Sequence, residues 1–245
     1  MRTDTGTARG SGAIWRALQA ELARVSPAEV HVVDVGGGSG VWAVPLAASG
    51  CRVTVVEPNP NAVATLRRRG AESGVADRIT VVADDTDALG IRVATGEADL
   101  VLAHGLLEVV EDPAAVTRAL AAAVRPGGAV SVLAANRYAA VLHRALAGRL
   151  GEARQLLTGA DGVLSDDGEN LARRFDAGGL SGLLTAAGLV VELVQGDGVV
   201  SDSLGEAETD QFTGEELAEF EALAGVVPQL RDIATRLHVL ARRPG

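Results

Sequence analysis

The sequence predicts an α/β fold, a doubly wound parallel sheet, on three observations. Short apolar runs alternate with helical stretches through the first five strands. The first run, Val32-Val33-Asp34-Val35, ends in the glycine-rich turn Gly36-Gly37-Gly38-Ser39-Gly40. An acidic residue, Glu57, closes the second run about 20 residues farther on, the spacing at which a carboxylate meets a ribose diol. Such a glycine run permits positive φ and lets the backbone approach a ligand without interference from Cβ atoms. As a plain strand-to-helix joint it would weaken the connection without any gain.

With 245 residues and 47% hydrophobic side chains, the chain can bury a full core, and no polar linker divides it, so one domain is expected over residues 1–245. All 22 basic residues are arginine and 32 are acidic, giving a formal charge of -10. That balance argues against broad binding to nucleic acid or anionic membrane, while leaving room for a local basic patch. The single cysteine, Cys51, has no intrachain partner and no CxxC context. It reads as a small core residue in a reduced, cytoplasmic setting. The N-terminal residues lack an apolar signal core, and no run reaches the roughly 18 uncharged apolar residues of a spanning helix.

In chain order, residues 1–12 are rich in Gly, Thr and Ser and read as a mobile segment in which Arg9 carries the binding chemistry. Ile14, Leu18, Leu22 and Val25 recur at helical spacing over 13–25, and Ser26-Pro27 stops that helix. The first strand is expected over 30–35, a helix over 41–49 and the second strand over 52–56, ending in Glu57-Pro58-Asn59. A helix over 62–69 ends in Arg67-Arg68-Arg69, where positive charge offsets the macrodipole and is expected to face water. The third strand, 78–83, runs into Asp84-Asp85-Thr86-Asp87, a set of carboxylates without further metal ligands nearby.

The fourth strand, 98–103, leads to His104-Gly105-Leu106-Leu107-Glu108. Asp112 and Pro113 read as the N-cap and first residue of a helix over 113–124. Arg125-Pro126-Gly127-Gly128 reads as a tight turn into a fifth strand over 129–134. From 137 to 175 the alternation lapses. Helices are expected over 137–147 and 152–157, then a polar loop over 159–169. An insertion there overhangs the C-terminal ends of the strands and can serve as a lid or as a solvated cap. A helix over 179–187 and a sixth strand over 189–194 follow, and Thr213-Gly214-Glu215-Glu216 has capping-box spacing. A seventh strand over 236–241 ends the pattern.

Asp34 to Gly40, Glu57, Asp84-Asp85-Thr86, His104 to Glu108 and Arg125 to Gly128 together resemble class I S-adenosylmethionine-dependent methyltransferases, most strongly over 28–136. The resemblance implies a seven-stranded sheet with strand seven antiparallel between five and six, and a helical insertion after strand five. It implies S-adenosylmethionine as cofactor. Gly36, Gly38 and Gly40 would pass under its methionine portion and ribose, with Asp34 close to the amino group. Glu57, followed by Pro58, would take the ribose hydroxyls. Asp85, or Asp84, would face the adenine amino group beside Thr86, and His104 would sit near the sulfonium and the acceptor.

Within that family, Thr7-Ala8-Arg9-Gly10, Leu102 to Glu108, the stretch 136–148 and the ending Arg236 to Pro244 are similar to the subgroup that methylates the carboxylate of tRNA wobble carboxymethoxyuridine. Gly198-Val199-Val200-Ser201-Asp202-Ser203 departs from that subgroup, and the negative charge opposes tRNA binding. The acceptor is therefore a small molecule or a modified tRNA. No obligate metal and no membrane partner are implied.

A carboxylate acceptor needs no general base, and Arg9, Arg137 or Arg174 is available to clamp it. A hydroxyl or amine acceptor needs one, for which His104 and His143 are the candidates. Two rival readings are a non-catalytic S-adenosylmethionine-binding regulator and an NAD-dependent oxidoreductase. The second forces Gly38, Gly40 and Ala43 into a dinucleotide pattern that begins too late after the strand.

Overall fold

Apolar, β-branched runs pair into one seven-stranded sheet, whose fold is described in a computed structural model for residues 12–24, 30–83, 95–164, 173–204 and 211–245. The strands are β1 (His31–Val35), β2 (Arg52–Val56), β3 (Ile79–Val82), β4 (Ala98–His104), β5 (Val124–Ala135), β6 (Val190–Asp197) and β7 (Arg236–Arg242). Their order is β3-β2-β1-β4-β5-β7-β6, with β7 antiparallel to both neighbours and the other pairs parallel. This is the seven-stranded arrangement that the resemblance implies. The order reverses between β1 and β4, so their C-terminal ends open the crevice in which such sheets bind ligands.

Two apolar layers cover the sheet, which is why its central strands carry apolar residues on both faces. On one face lie α1 (Gly12–Leu22), α2 (Ala43–Ala48) and α3 (Pro60–Glu72), through Ile14, Leu18, Leu46 and Leu66. On the other lie α4 (Pro113–Ala123) and, from farther along the chain, the helix Ala177–Ala186, through Leu120, Leu180 and Leu184. Cys51 is buried in the first layer. Among the described residues, no helix is long and apolar enough to cross a membrane.

Several boundaries differ from the sequence reading for identifiable reasons. α3 begins at Pro60, two residues early, because Asn59 caps it: its side chain accepts from Asn61 N at 2.9 Å and Ala62 N at 3.4 Å. The turn Arg125 to Gly128 lies inside β5 instead of ahead of it. Ala98 pairs with Val124 and Leu100 with Ala129, so the four residues 125–128 loop out opposite Asp99. The Asp99 carboxylate holds this loop, accepting from Arg125 Nε at 2.6 Å and from His31 N at 2.8 Å.

After β5 come α5 (Arg137–Leu146) and α6 (Leu150–Thr158), which form the helical insertion. It leaves and rejoins the sheet at one place. Phe175 N donates to Ala135 O at 2.9 Å, and Arg137 N donates to Phe175 O at 2.8 Å. α7 (Ala177–Ala186), already placed against the sheet, follows with Asp176 as its N-cap. Beyond β6, α8 (Gly214–Ala224) starts with the expected capping box, Thr213 N donating to Glu216 Oε2 at 2.7 Å and Glu216 N to Thr213 Oγ1 at 3.1 Å. A short helix not expected from sequence, α9 (Pro228–Arg231), leads into β7.

Candidate functional site

The glycine loop owes its shape to backbone that other residues resist. Gly36, Gly38 and Gly40 have φ of 71°, 54° and 80°. Gly40 has a second reason to lack a side chain, since a Cβ there would stand 2.3 Å from Leu66 Cδ1. Gly37 lies against the Asp34 carboxylate and Val55, where a Cβ would come within 2.6 Å and 2.8 Å. From α3, Arg69 Nη1 donates to both Ser39 O and Ser39 Oγ at 3.3 Å. Arg67 and Arg68 face water as expected. Arg69 does not, and braces the loop.

Glu57 comes to the loop from the end of β2. Its Oε2 accepts from Gly38 N at 2.9 Å and its Oε1 from Asn59 N at 2.8 Å. The carboxylate is buried, and each oxygen keeps a second lone pair for a hydroxyl donor. Exposed Pro58 joins it to the Asn59 cap. Asp34 lies beneath the loop at 1% exposure, and its Oδ2 has no partner among the described residues. Burial, reinforced by the charge of Glu57, pushes the Asp34 carboxyl up to about 7.

A cavity of about 290 Å³ opens above these residues, bounded by Asp34, Gly36 to Ser39 and Trp42 on one side. His104, Glu108, Leu133 and Arg236 complete its wall. The ring of Trp42 meets His104 edge-on, with centroids 4.8 Å apart. His104, the last residue of β4, bonds through Nε2 to Ser131 Oγ at 2.8 Å. Burial, with the neighbouring His238, holds its pKa well below the ordinary histidine value. Glu108 Oε1 accepts from Ala135 N at 2.8 Å, Oε2 is unpartnered among the described residues, and burial raises this carboxyl as well. Arg236 is held by Asp197, its Nε donating to Oδ2 at 2.8 Å.

Of the residues singled out from sequence, Asp34, Gly36, Gly38 and His104 line one cavity, and Glu57 and Gly40 support it. Arg9, Asp84, Asp85 and Thr86 lie outside the described residues. Arg137 is elsewhere. Its Nε donates to Leu156 O at 2.6 Å and its Nη2 to Leu157 O at 3.1 Å and to Gly159 O. It caps the end of α6, so its guanidinium is not free to clamp an acceptor. His143 is exposed on α5 and faces a second cleft of about 330 Å³ with Leu142, Arg174, Val199 and Thr235. Neither arginine nor histidine of α5 lines the glycine-loop cavity.

Sequence reasoning missed Trp42, Glu108 as a wall residue, Arg236 and Glu221. The Glu221 carboxylate accepts from Val199 N, Val200 N and Ser201 N at 2.8, 2.9 and 2.8 Å, fixing the loop after β6. The available signal was an acidic residue on the inward face of an amphipathic helix.

Comparison with known proteins agrees with this geometry. A family model described as a methyltransferase domain matches residues 11–194. Over 146 residues the chain is 29% identical to the tRNA 5-carboxymethoxyuridine methyltransferase of Escherichia coli K12, covering 58% of this chain and 56% of that protein. Over 131 residues it is 34% identical to the ubiquinone biosynthesis O-methyltransferase of Xanthomonas axonopodis pv. citri, covering 54% of each. The chain thus spans about half the length of the curated relatives it matches. An S-adenosylmethionine-dependent methyltransferase structure from Mesorhizobium loti superposes with a TM-score of 0.58 at 21% identity, covering 94% of this chain and 98% of that one. Geranyl diphosphate C-methyltransferase from Streptomyces coelicolor A3(2) gives 0.62 at 17% identity, covering 94% and 75%.

Proposed function

This chain belongs to the methyltransferase-domain family, and we propose from that premise that it transfers a methyl group from S-adenosylmethionine to an oxygen of an acceptor. The observation that carries the reading is the orphaned, buried Asp34 Oδ2 in a cavity floored by glycine backbone, with Glu57 fastened to the same loop. These residues fit the cofactor's chemistry. Asp34 suits a cationic amino group, Glu57 suits a pair of hydroxyl donors, and the glycines leave space for close passage.

When bound, S-adenosylmethionine supplies a methyl group already made electrophilic by its sulfonium. The protein's task is then alignment and exclusion of water. Trp42 and Leu133 give the cavity apolar wall, while His104, Glu108 and Arg236 bring polar groups to it from the ends of β4 and β7. Arg236 brings guanidinium N–H donors to the cavity wall, with its charge balanced by Asp197 and by Asp202, whose Oδ2 lies 3.3 Å from Nη2. Two of the relatives are in keeping with an oxygen acceptor, one named as an O-methyltransferase and one named for a nucleoside that bears a carboxylate.

The net charge of -10 favours a small molecule over tRNA. Calorimetry with S-adenosylmethionine, with NAD as the competitor reading, tests the site first. Transfer of labelled methyl is then followed on hydroxylated and carboxylated small molecules and on carboxymethoxyuridine-bearing tRNA. Label on the small molecules supports the proposal, and label confined to tRNA moves the acceptor to the nucleic acid. Tight binding without transfer to any of them leaves a regulator, and NAD binding in place of S-adenosylmethionine overturns the assignment.

A further inference from the structure

A hydrogen-bonded chain crosses four adjacent strands beneath the cavity. Gln195 Nε2 on β6 lies 2.9 Å from His238 Nδ1 on β7. His238 Nε2 lies 2.8 Å from Ser131 Oγ on β5, and that oxygen lies 2.8 Å from His104 Nε2 at the end of β4. Ser131 and His238 are fully buried and Gln195 is 5% exposed, so water does not share these bonds.

The chain has a direction because the Gln195 amide presents its nitrogen to His238 Nδ1, and each ring and hydroxyl beyond it has one proton to place. An amide nitrogen only donates, so His238 Nδ1 accepts from Gln195. A neutral His238 then carries its proton on Nε2 and donates to Ser131. The hydroxyl keeps its one proton and donates it in the hydrogen bond to His104 Nε2, which accepts. His104, itself neutral, is left with its proton on Nδ1. Burial favours neutrality at both rings, holding His238 down to about 3.

His104 Nδ1 is buried and has no partner among the described residues, and the ring lines the cavity. The charged or titratable groups sharing that wall are Asp34, Glu108 and Arg236. We propose that Gln195, His238 and Ser131 are positioning residues that hold His104 as its Nδ1–H tautomer, so that it meets a bound ligand as a hydrogen-bond donor and not as a base. The ligand group it takes is an oxygen acceptor such as a carboxylate, a carbonyl or an already ionised hydroxyl. The assignment of that oxygen to the methyl acceptor rests on the function proposed above. The tautomer does not.

The test is long-range ¹H–¹⁵N NMR of the ring nitrogens in the full chain, with His104 assigned by loss of its signals in His104→Gln. In the unaltered protein His104 shows a protonated Nδ1 and an unprotonated Nε2, and His238 shows the opposite pattern. Ser131→Ala cuts the relay, and His104 shifts toward the Nε2–H form that free imidazole side chains prefer. Gln195→Leu gives the same shift from a site farther away, which a purely local packing role would not produce. His104 found as Nε2–H in the unaltered protein, or unchanged by both variants, overturns the proposal. Failure to bind S-adenosylmethionine with the tautomers as stated removes the functional reading and leaves the relay intact.

Discussion

Gly38 donates its backbone N–H to Glu57 Oε2 at 2.9 Å, which ties the loop after β1 to the end of β2 before any ligand arrives. The same carboxylate takes the N–H of Asn59, whose side chain caps α3. Loop, strand end and helix start are therefore one unit. Glu57→Ala is expected to weaken S-adenosylmethionine binding by roughly 10- to 100-fold, through loss of a ligand contact and of loop order together. Calorimetry measures the affinity, and an unchanged value would remove Glu57 from the site.

Gly40→Ala and Gly38→Ala separate packing from binding. At Gly40 the new Cβ meets Leu66 Cδ1 at 2.3 Å and φ is 80°, so a stability loss of about 2–4 kcal/mol is expected. At Gly38 the Cβ meets only Gly36 O, at 4.0 Å, and the backbone cost of a φ of 54° is about 1–2 kcal/mol. Its larger effect is expected on cofactor affinity, because that residue lines the cavity. Denaturant titration and calorimetry on both variants give the two rankings.

Asp34 predicts a pH dependence with a definite sign. A cationic group binds its ionised form, and that form is lost as pH falls through about 7. Affinity for S-adenosylmethionine is expected to drop about 25-fold between pH 7.5 and pH 5.5 where this group alone governs it. Stability runs the other way. The folded protein holds the Asp34 proton up to about 7 and the unfolded chain releases it near 3.8, so stability falls as pH rises between those values. The full contribution is on the order of 4 kcal/mol. Asp34→Asn is expected to remove that loss, melting above the unaltered protein at pH 7.5, while binding the cofactor poorly.

Arg137→Ala tests whether its guanidinium serves the helical insertion or the site. Because its guanidinium serves the carbonyls of Leu156, Leu157 and Gly159, the loss is expected in the α6 region as faster amide exchange. A stability loss of roughly 1–3 kcal/mol accompanies it. S-adenosylmethionine affinity should stay within about twofold, since those bonds lie off the cavity wall. A tenfold fall in affinity with unaltered exchange would return Arg137 to the site.

Glu221→Ala leaves three backbone N–H groups of the loop after β6 without their acceptor. A loss of about 2–4 kcal/mol is expected, read from the denaturation midpoint. A change under about 0.5 kcal/mol would mean that water replaces the carboxylate at no cost.

The sequence by itself determined the sheet, the glycine loop and the identity of Asp34, Glu57 and His104 as residues at strand ends. Each is a local property. Apolar period marks a strand, a glycine run demands unusual φ, and spacing along alternating strands puts side chains at one edge of the sheet. The early start of α3 was also written locally, in Asn59-Pro60, as a cap followed by proline.

Only the tertiary structure decided which charged side chains are free to meet a ligand. Arg137 and Arg236 look alike in sequence, yet one is consumed by the carbonyls of α6 and the other reaches the cavity from β7 beside Asp197. The relay from Gln195 to His104 was equally invisible, because its four residues stand far apart in the chain, at 104, 131, 195 and 238, and meet only through strand register. Hydrogen bonds of this kind depend on which strands become neighbours, and the antiparallel insertion of β7 between β5 and β6 is what brings Ser131, His238 and Gln195 together.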